Sequence, residues 1–218
     1  MRKQLRENGL SIAMFGLFAI FLIGQVFTGW NSYDADQLSH GARAIGLWSY
    51  LTTGHFIEAV FENWESEFLQ MASYIVLTVW LVQKGSAESN PLDGGSGDDA
   101  GSTETPADAP APVRRGGTWL SLYERSLGLS FALLFLLSIG LHAWGGARAY
   151  SEEQKQHGEA PVSVGEYATT SQFWFESFQN WQSEFLAVGS IVVLSIFLRQ
   201  KDSPESKPVD APHDQTGG

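Results

Sequence analysis

Four apolar blocks separated by polar stretches dominate the pattern of the chain. The blocks at residues 10–30 and 127–144 contain no charged side chain, and their length is close to the roughly 20 residues that cross a bilayer as a helix. The blocks at residues 68–82 and 185–198 are shorter, and each follows a run of aromatic and acidic residues. The pattern predicts four transmembrane helices, with buried helices of a soluble protein as the disfavoured alternative.

The chain carries an internal repeat. Residues 50–91 return as residues 167–208, 117 positions later, with about half of the aligned residues unchanged, and residues 9–13 return as residues 128–132. Each copy holds two apolar blocks, so both copies enter the membrane in the same orientation, as parallel repeats related by an axis along the membrane normal. The predicted fold is an all-α polytopic membrane protein with four transmembrane helices in two parallel tandem repeats. These repeats form either a pseudo-two-fold four-helix bundle or a pair of hairpins that also dimerises between chains.

Composition divides the chain into four segments. The first two-helix repeat occupies residues 1–84 and the second occupies residues 118–201. Between them, residues 85–117 are acidic and rich in Gly, Ser and Pro, and residues 202–218 are similar. Such composition cannot bury enough apolar area to offset chain entropy, so a disordered linker and a disordered tail are expected.

The basic residues predict the orientation in the membrane. Of the 13 Lys and Arg residues, ten lie on one side of a four-span arrangement, and only Arg43, Arg148 and Lys155 lie on the other. The positive-inside rule then places both termini and the linker in the cytoplasm. The N-terminal block resembles a signal peptide, but it has an internal counterpart and no small-x-small cleavage site follows it. We therefore expect it to remain as a permanent helix.

Composition and motifs also exclude several classes of function. The net charge of −11 and the pI near 4.8 argue against nucleic acid, which selects basic surfaces. The absence of cysteine excludes disulfides, thiolate metal sites and cysteine nucleophiles. No phosphate-binding loop, nucleophile elbow or metalloprotease helix occurs in the sequence. We expect no enzymatic activity and no cofactor.

The most specific repeated motif reads Asn-Trp-x-Ser-Glu-Phe-Leu. On a helix its Asn, Ser and Glu fall on one arc, and its Trp and Phe fall on another. In one interpretation Glu67 and Glu184 face each other in a proton or cation path, because an acid inside a membrane is costly and usually functional. In the favoured interpretation the polar residues tie the outer loop to the helix and the aromatic residues anchor it at the interface. The candidate residues are Asn63, Trp64, Ser66, Glu67, Phe68, Asn180, Trp181, Ser183, Glu184 and Phe185.

Two further repeated features predict local structure. Gly9-x-x-x-Ala13 and Gly128-x-x-x-Ala132 are small-xxx-small spacings, which allow close packing of membrane helices. A Tyr-x-Thr-Thr sequence starts at Tyr50 and again at Tyr167. Its Thr52 or Thr53 is expected to cap a helix that runs from about Phe56 to Gln83.

The histidines do not form a metal-binding or haem-binding pattern. His40 and His157 correspond between the copies and lie in the outer loops, whereas His142 lies in the third apolar block. No pair is spaced four apart on a helix and no CxxCH sequence is present, so zinc or haem ligation is disfavoured. Loop hydrogen bonding is the expected role of His40 and His157.

In the Asn-Trp-x-Ser-Glu-Phe-Leu motif, followed by an apolar run, Gln-Lys and Ser-x-Glu-Ser-x-Pro, the chain resembles an uncharacterised family of small bacterial membrane proteins, a domain of unknown function. The resemblance covers both halves and leaves the linker and tail outside. It implies the bacterial inner (cytoplasmic) membrane and carries over no catalytic residue. The leading hypothesis is a structural or interaction role there, with the lipid bilayer and a homo-oligomer or another membrane protein as partners. The alternative is a small transporter or channel that uses the repeated Asn and Glu residues.

Overall fold

The computed structural model describes residues 6–91, 105–106 and 108–217. Within these residues the regular structure is helical and no strand occurs, which confirms the all-α prediction for this part of the chain. Arg2, Lys3 and residues 92–104 of the predicted linker lie outside the described residues. The helices are α1 (Gly9–Ser39), α2 (Leu47–Tyr50), α3 (Gly54–Leu77), α4 (Ala111–Arg115), α5 (Gly117–Glu124), α6 (Ser126–Gln156), α7 (Val164–Tyr167) and α8 (Ser171–Phe197).

Three of these helices, α1, α6 and α8, are long and apolar enough to span a membrane. Helix α1 buries none of its residues, and the side chains of Leu10, Phe15 and Phe21 are 74%, 73% and 70% exposed. A continuous apolar surface of this kind is stable in lipid rather than in water. The helices therefore indicate a membrane protein.

Helix α3 is not among the three candidate spans, which differs from the expected count of four. It carries Glu62 and Glu65 at positions where α8 has Gln179 and Gln182, and these charges make it less apolar than its counterpart. The helix also begins at Gly54 and ends at Leu77, before the expected end at Gln83.

The ends of α1 and α6 are built alike. The Nδ1 atoms of His40 and His157 hydrogen-bond the carbonyl oxygens four residues earlier, at 3.0 and 2.9 Å. A glycine in the left-handed region follows each histidine, Gly41 at φ +76° and Gly158 at φ +78°, a conformation that ends helices at low steric cost. Both histidines form hydrogen bonds as expected, but their partners lie in the last turn of a helix rather than in a loop.

The chain forms two compact units, and each contains segments from both sequence repeats. The first unit comprises Met1–Phe61 and Leu141–Phe173, and the second comprises Glu62–Gly140 and Trp174–Gly218. In the first unit, the start of α3 contacts the end of α6 backbone to backbone. A Cβ added to Gly145 would lie 2.6 Å from the Glu58 nitrogen, and a Cβ added to Gly54 would lie 2.5 Å from the Ala149 nitrogen. Both positions therefore require glycine.

In the second unit, aromatic contacts join the remaining parts of the long helices. The ring of Phe68 on α3 lies 6.2 Å from that of Phe131 on α6, measured between centroids. The ring of Phe135 on α6 lies 6.2 Å from that of Trp181 on α8, edge to face. Aromatic pairs at this separation contribute about 0.5–1.5 kcal/mol beyond the area they bury.

Candidate functional site

The starts of α3 and α8 are capped in the same way. The Thr53 hydroxyl accepts a hydrogen bond from the backbone N–H three residues later, at 3.2 Å, and Thr170 does the same at 3.2 Å. A threonine in this position satisfies one of the unpaired donors of the first helical turn. The predicted capping of α3 is confirmed for Thr53.

Each cap adjoins a buried tyrosine that lies on a glycine. The ring of Tyr50 packs so closely over Gly29 that an added Cβ would overlap its hydroxyl, and the ring of Tyr167 lies over Gly146 in the same way. Both tyrosines are almost completely buried. Because Tyr50 and Gly29 are each 117 positions before Tyr167 and Gly146, the two contacts are counterparts in the repeat.

The hydroxyls of the two tyrosines have different partners. The Tyr50 hydroxyl hydrogen-bonds Nδ1 of His55 at 3.2 Å, whereas the Tyr167 hydroxyl donates to Oε1 of Glu58 at 2.8 Å. A carboxylate oxygen of Glu58 also lies within 4.8 Å of a ring nitrogen of His142, which is fully buried. A phenol, a carboxylate and an imidazole thus meet in the first unit, and these are groups that exchange protons.

His55 belongs to a second polar cluster in the same unit. Its ring lies 5.4 Å from that of Tyr33, measured between centroids, and the Tyr33 hydroxyl donates to Oε2 of Glu152 at 3.3 Å. Burial lowers the pKa of His55 below its usual range, while the nearby Asp36 and Glu152 carboxylates oppose that change. The cluster holds a histidine whose neutral form is favoured by the fold.

The polar residues of the repeated motif bond mainly within their own helices. The Ser66 hydroxyl donates to the Asn63 carbonyl oxygen at 2.7 Å, and Ser183 donates to the Asn180 carbonyl oxygen at 2.8 Å. The Asn180 side chain donates to the Glu176 carbonyl oxygen at 3.1 Å. These bonds lie within α3 and α8 themselves, so they do not test the expected tie between the outer loop and the helix.

The aromatic residues of the motif are distributed between packing and surface. Trp64 lies edge to face with Phe68 at 6.5 Å between ring centroids. Trp181 contacts Phe178 at 5.6 Å, whereas Phe185 is exposed. The two copies of the motif therefore have different surroundings.

Glu67 and Glu184 lie on the less buried side of the motif helices. Glu67 is exposed and Glu184 is half-buried, and the two carboxylates are close enough for their charges to interact. The two acids that the alternative hypothesis requires are therefore near enough for one charge to influence the other, and neither is deeply buried.

The most completely buried acid of the motif is a different residue, Glu65. It is 0% exposed, and its Oε1 accepts hydrogen bonds from the Ser177 hydroxyl at 2.8 Å and from the Trp181 indole N–H at 3.1 Å. Comparison of the repeats missed this residue because the second copy has Gln182 at its position. The signal that could have found it is the additional charge beside Trp64, where the motif varies between the copies.

The small-xxx-small positions differ in their surroundings. A Cβ added to Gly128 would lie 3.4 Å from Cγ2 of Val76 on α3, an ordinary packing contact, whereas a Cβ added to Gly9 would meet nothing within 4 Å. Ala132 is half-buried and Ala13 is exposed. Among the described residues, the second spacing contacts another helix and Gly9 of the first spacing does not.

The described residues define an all-helical protein with three candidate membrane-spanning helices. The chain belongs to the family described as Domain of unknown function (DUF6766), whose model matches residues 1–218. The family match thus includes the linker and the tail. No match was found among curated proteins or among solved structures.

Proposed function

We propose that this protein is a four-span integral protein of a bacterial inner membrane with a structural or interaction role and no catalytic activity. In this proposal α3 crosses the membrane together with α1, α6 and α8, and both termini and the linker are cytoplasmic. Exposed apolar side chains at the end of α3 and just beyond it support the fourth span, among them Val76, Leu77 and Trp80. Burial of Glu65 against α8 removes one charge from the surface that α3 would present to lipid.

Matched contacts support the arrangement of two parallel tandem repeats. The threonine caps before α3 and α8, the tyrosines on Gly29 and Gly146, and the histidines at the ends of α1 and α6 each recur at the same spacing of 117 positions. Equivalent contacts around the outer loop of each hairpin are expected if the copies fold alike and insert in the same orientation.

One observation favours a structural role over a transport path. The repeated Ser side chains and the Asn180 side chain bond to the backbone of their own helices, and Glu65 is held by two donors from α8. Within the described part of the chain, no buried side-chain nitrogen or oxygen lacks a hydrogen-bond partner. The interior polar groups are therefore used to hold helices and caps together.

The second candidate function is a small transporter or channel that uses Glu67 and Glu184 with Asn63 and Asn180. The observation that favours it is the electrostatic proximity of the two carboxylates. Paired acids inside a membrane protein are a frequent component of cation and proton pathways.

Proteoliposome flux separates the two candidates. The purified chain is reconstituted beside a variant with Glu67→Gln and Glu184→Gln, and proton and monovalent-cation flux are measured against protein-free liposomes. A structural role predicts that both proteins give the flux of empty liposomes. Flux through the original protein that the double variant abolishes would establish the transporter and refute our proposal.

Self-association is tested in the membrane by cross-linking. The chain contains no cysteine, so a single Phe178→Cys change on the exposed aromatic surface of α8 provides a unique cross-linking site, with Val209→Cys in the exposed tail as the matched control. A homo-oligomer that uses this surface gives a dimer for the Phe178 variant and a monomer for the control. A monomer for both variants would direct the search to another membrane protein as the partner.

A further inference from the structure

The segment after α8 follows a defined path although its composition is typical of disorder. The Ser-x-Glu-Ser-x-Pro sequence occurs at residues 86–91 and again at residues 203–208, and both copies form the same turn. Ser89 Oγ accepts a hydrogen bond from the Gln83 N–H at 3.0 Å, and Ser206 Oγ accepts one from the Gln200 N–H at 2.9 Å. The repeat therefore extends beyond the helices into the turns that follow α3 and α8.

Lys207 is one of two positions at which the second Ser-x-Glu-Ser-x-Pro sequence differs from the first, the other being Pro204 in place of Ala87. The counterpart of Lys207 is Asn90, which is exposed and donates to the Thr78 carbonyl oxygen at 3.3 Å. Lys207 is 1% exposed. Lysine is almost never buried so completely unless its charge is compensated.

Backbone carbonyl oxygens provide that compensation. The Lys207 ammonium donates to the oxygens of Gly85, Pro212, His213 and Gln215 at 2.6, 3.1, 3.1 and 2.9 Å. An ammonium has three N–H donors, so one of them is shared between two oxygens. Within the described residues, no carboxylate lies within ion-pair distance of this lysine. We call these four oxygens the carbonyl cage.

The carbonyl cage joins two distant parts of the sequence. One oxygen comes from Gly85 in the turn after α3, and the other three come from the tail. Further bonds connect the same parts: the Gly85 N–H donates to Thr216 Oγ1 at 2.9 Å, and the Gly217 N–H donates to the Ser86 carbonyl oxygen at 2.9 Å. The Ser86 and Ser195 hydroxyls are also hydrogen-bonded, at 3.0 Å.

We propose that the carbonyl cage is a binding site for a primary ammonium, occupied by the chain's own Lys207, and that its occupation fastens the tail to the turn after α3. The four oxygens all lie within hydrogen-bond distance of one nitrogen, so they suit an ammonium, whose three N–H donors diverge from a single atom. A guanidinium spreads its N–H donors over a plane and does not match this arrangement. With Lys207 in place, the ends of α3 and α8 are held together by the tail. This role is independent of the orientation of the helices in a membrane.

Amine labelling of the purified full-length chain tests the burial of this lysine directly. An acetylating N-hydroxysuccinimide ester is applied, and modification of each lysine is followed by mass spectrometry, with the exposed Lys84 and Lys201 as internal controls. Lys207 should be acetylated at least about tenfold more slowly than the controls, because its amine reacts only when the tail opens. Equal rates for the three lysines would overturn the proposal.

Chemical rescue tests the selectivity of the cage. Hydrogen exchange is followed at residues 82–89 and 209–217 in Lys207→Ala and in the control Lys201→Ala. The first variant should lose protection in both segments and the control should keep it. Ethylammonium should restore protection to Lys207→Ala, whereas tetramethylammonium, which has the same charge and no N–H donor, should not. Unchanged protection in Lys207→Ala, or equal rescue by both cations, would contradict the proposal.

Discussion

Replacement of Glu65 by leucine or by glutamine separates its role as a hydrogen-bond acceptor from its charge. The Oε1 atom of Glu65 accepts from Ser177 and Trp181 in a fully buried position. Leucine removes the acceptor and leaves both donors facing an apolar side chain. Glutamine keeps a carbonyl oxygen that can accept both bonds, and Gln182 already occupies the equivalent place in the second repeat.

The size of the effect follows from the two donors. An unsatisfied buried donor costs about 1–3 kcal/mol in soluble proteins, whereas side-chain hydrogen bonds between membrane helices average only about 0.6 kcal/mol. For two donors we expect Glu65→Leu to lower the free energy of unfolding by roughly 2 kcal/mol. In a chain of this length that corresponds to a decrease in Tm of about 4–8 °C. Glu65→Gln should lower Tm by much less.

Thermal unfolding in one detergent, followed by circular dichroism, provides the measurement. Glu67→Leu is the matched control because Glu67 is on the same helix, is exposed and has the same side chain. Equal unfolding temperatures for Glu65→Leu and Glu67→Leu would refute the stabilising role of the Glu65 acceptor. Glutamine at position 65 destabilising the protein as much as leucine does would refute it as well.

Three further predictions concern the first unit. Gly146→Ala should cost about 1–3 kcal/mol by overpacking, because its Cβ would overlap the buried ring of Tyr167; thermal unfolding equal to that of the unchanged protein would refute the contact. Burial lowers the pKa of His55 below its usual value of 6.5. As the pH falls through that value, the unfolded chain is therefore protonated at this residue more readily than the folded chain. The stability contributed by neutral His55 is then complete above that value and is lost as the pH falls below it. The second repeat has Gln172 at the position of His55. The change His55→Gln should weaken the decrease of Tm at acid pH, and a pH profile of Tm identical to that of the unchanged protein would contradict this. Ser163→Ala removes the capping box of α7 and should increase hydrogen exchange at residues 164–167 relative to neighbouring segments, with an estimated cost of about 1 kcal/mol; unchanged exchange there would exclude the cap as a stabilising element.

The length of the uncharged apolar blocks predicted the long helices, because such blocks match the span of a bilayer. It did not predict that α1 and α6 continue for several turns past these blocks, to Ser39 and Gln156, since polar residues there give no membrane signal. The cap at Thr53 was predictable because threonine before a helix has a defined local role. Such features depend on near neighbours in the chain.

Contacts between residues far apart in the chain were harder to predict from the sequence. Glu65 varies between the repeats, so comparison of the copies gave it no weight, and its burial depends on Ser177 and Trp181, over a hundred positions away. Lys207 lies in a segment whose composition is typical of disorder, and backbone carbonyl groups bind it. Composition cannot report such partners because every residue has a carbonyl group.

In the proposed topology α3 crosses the membrane as the fourth span, with the linker and both termini on the cytoplasmic side. The cysteine-free chain permits single-cysteine labelling of intact cells with a membrane-impermeant maleimide, using Ala42→Cys, Ser96→Cys and Ala160→Cys. Four spans predict labelling at positions 42 and 160 in intact cells, and labelling at position 96 only after permeabilisation. Labelling of positions 42 and 96 together in intact cells, with position 160 protected, would show that α3 does not cross the membrane and would refute the four-span topology.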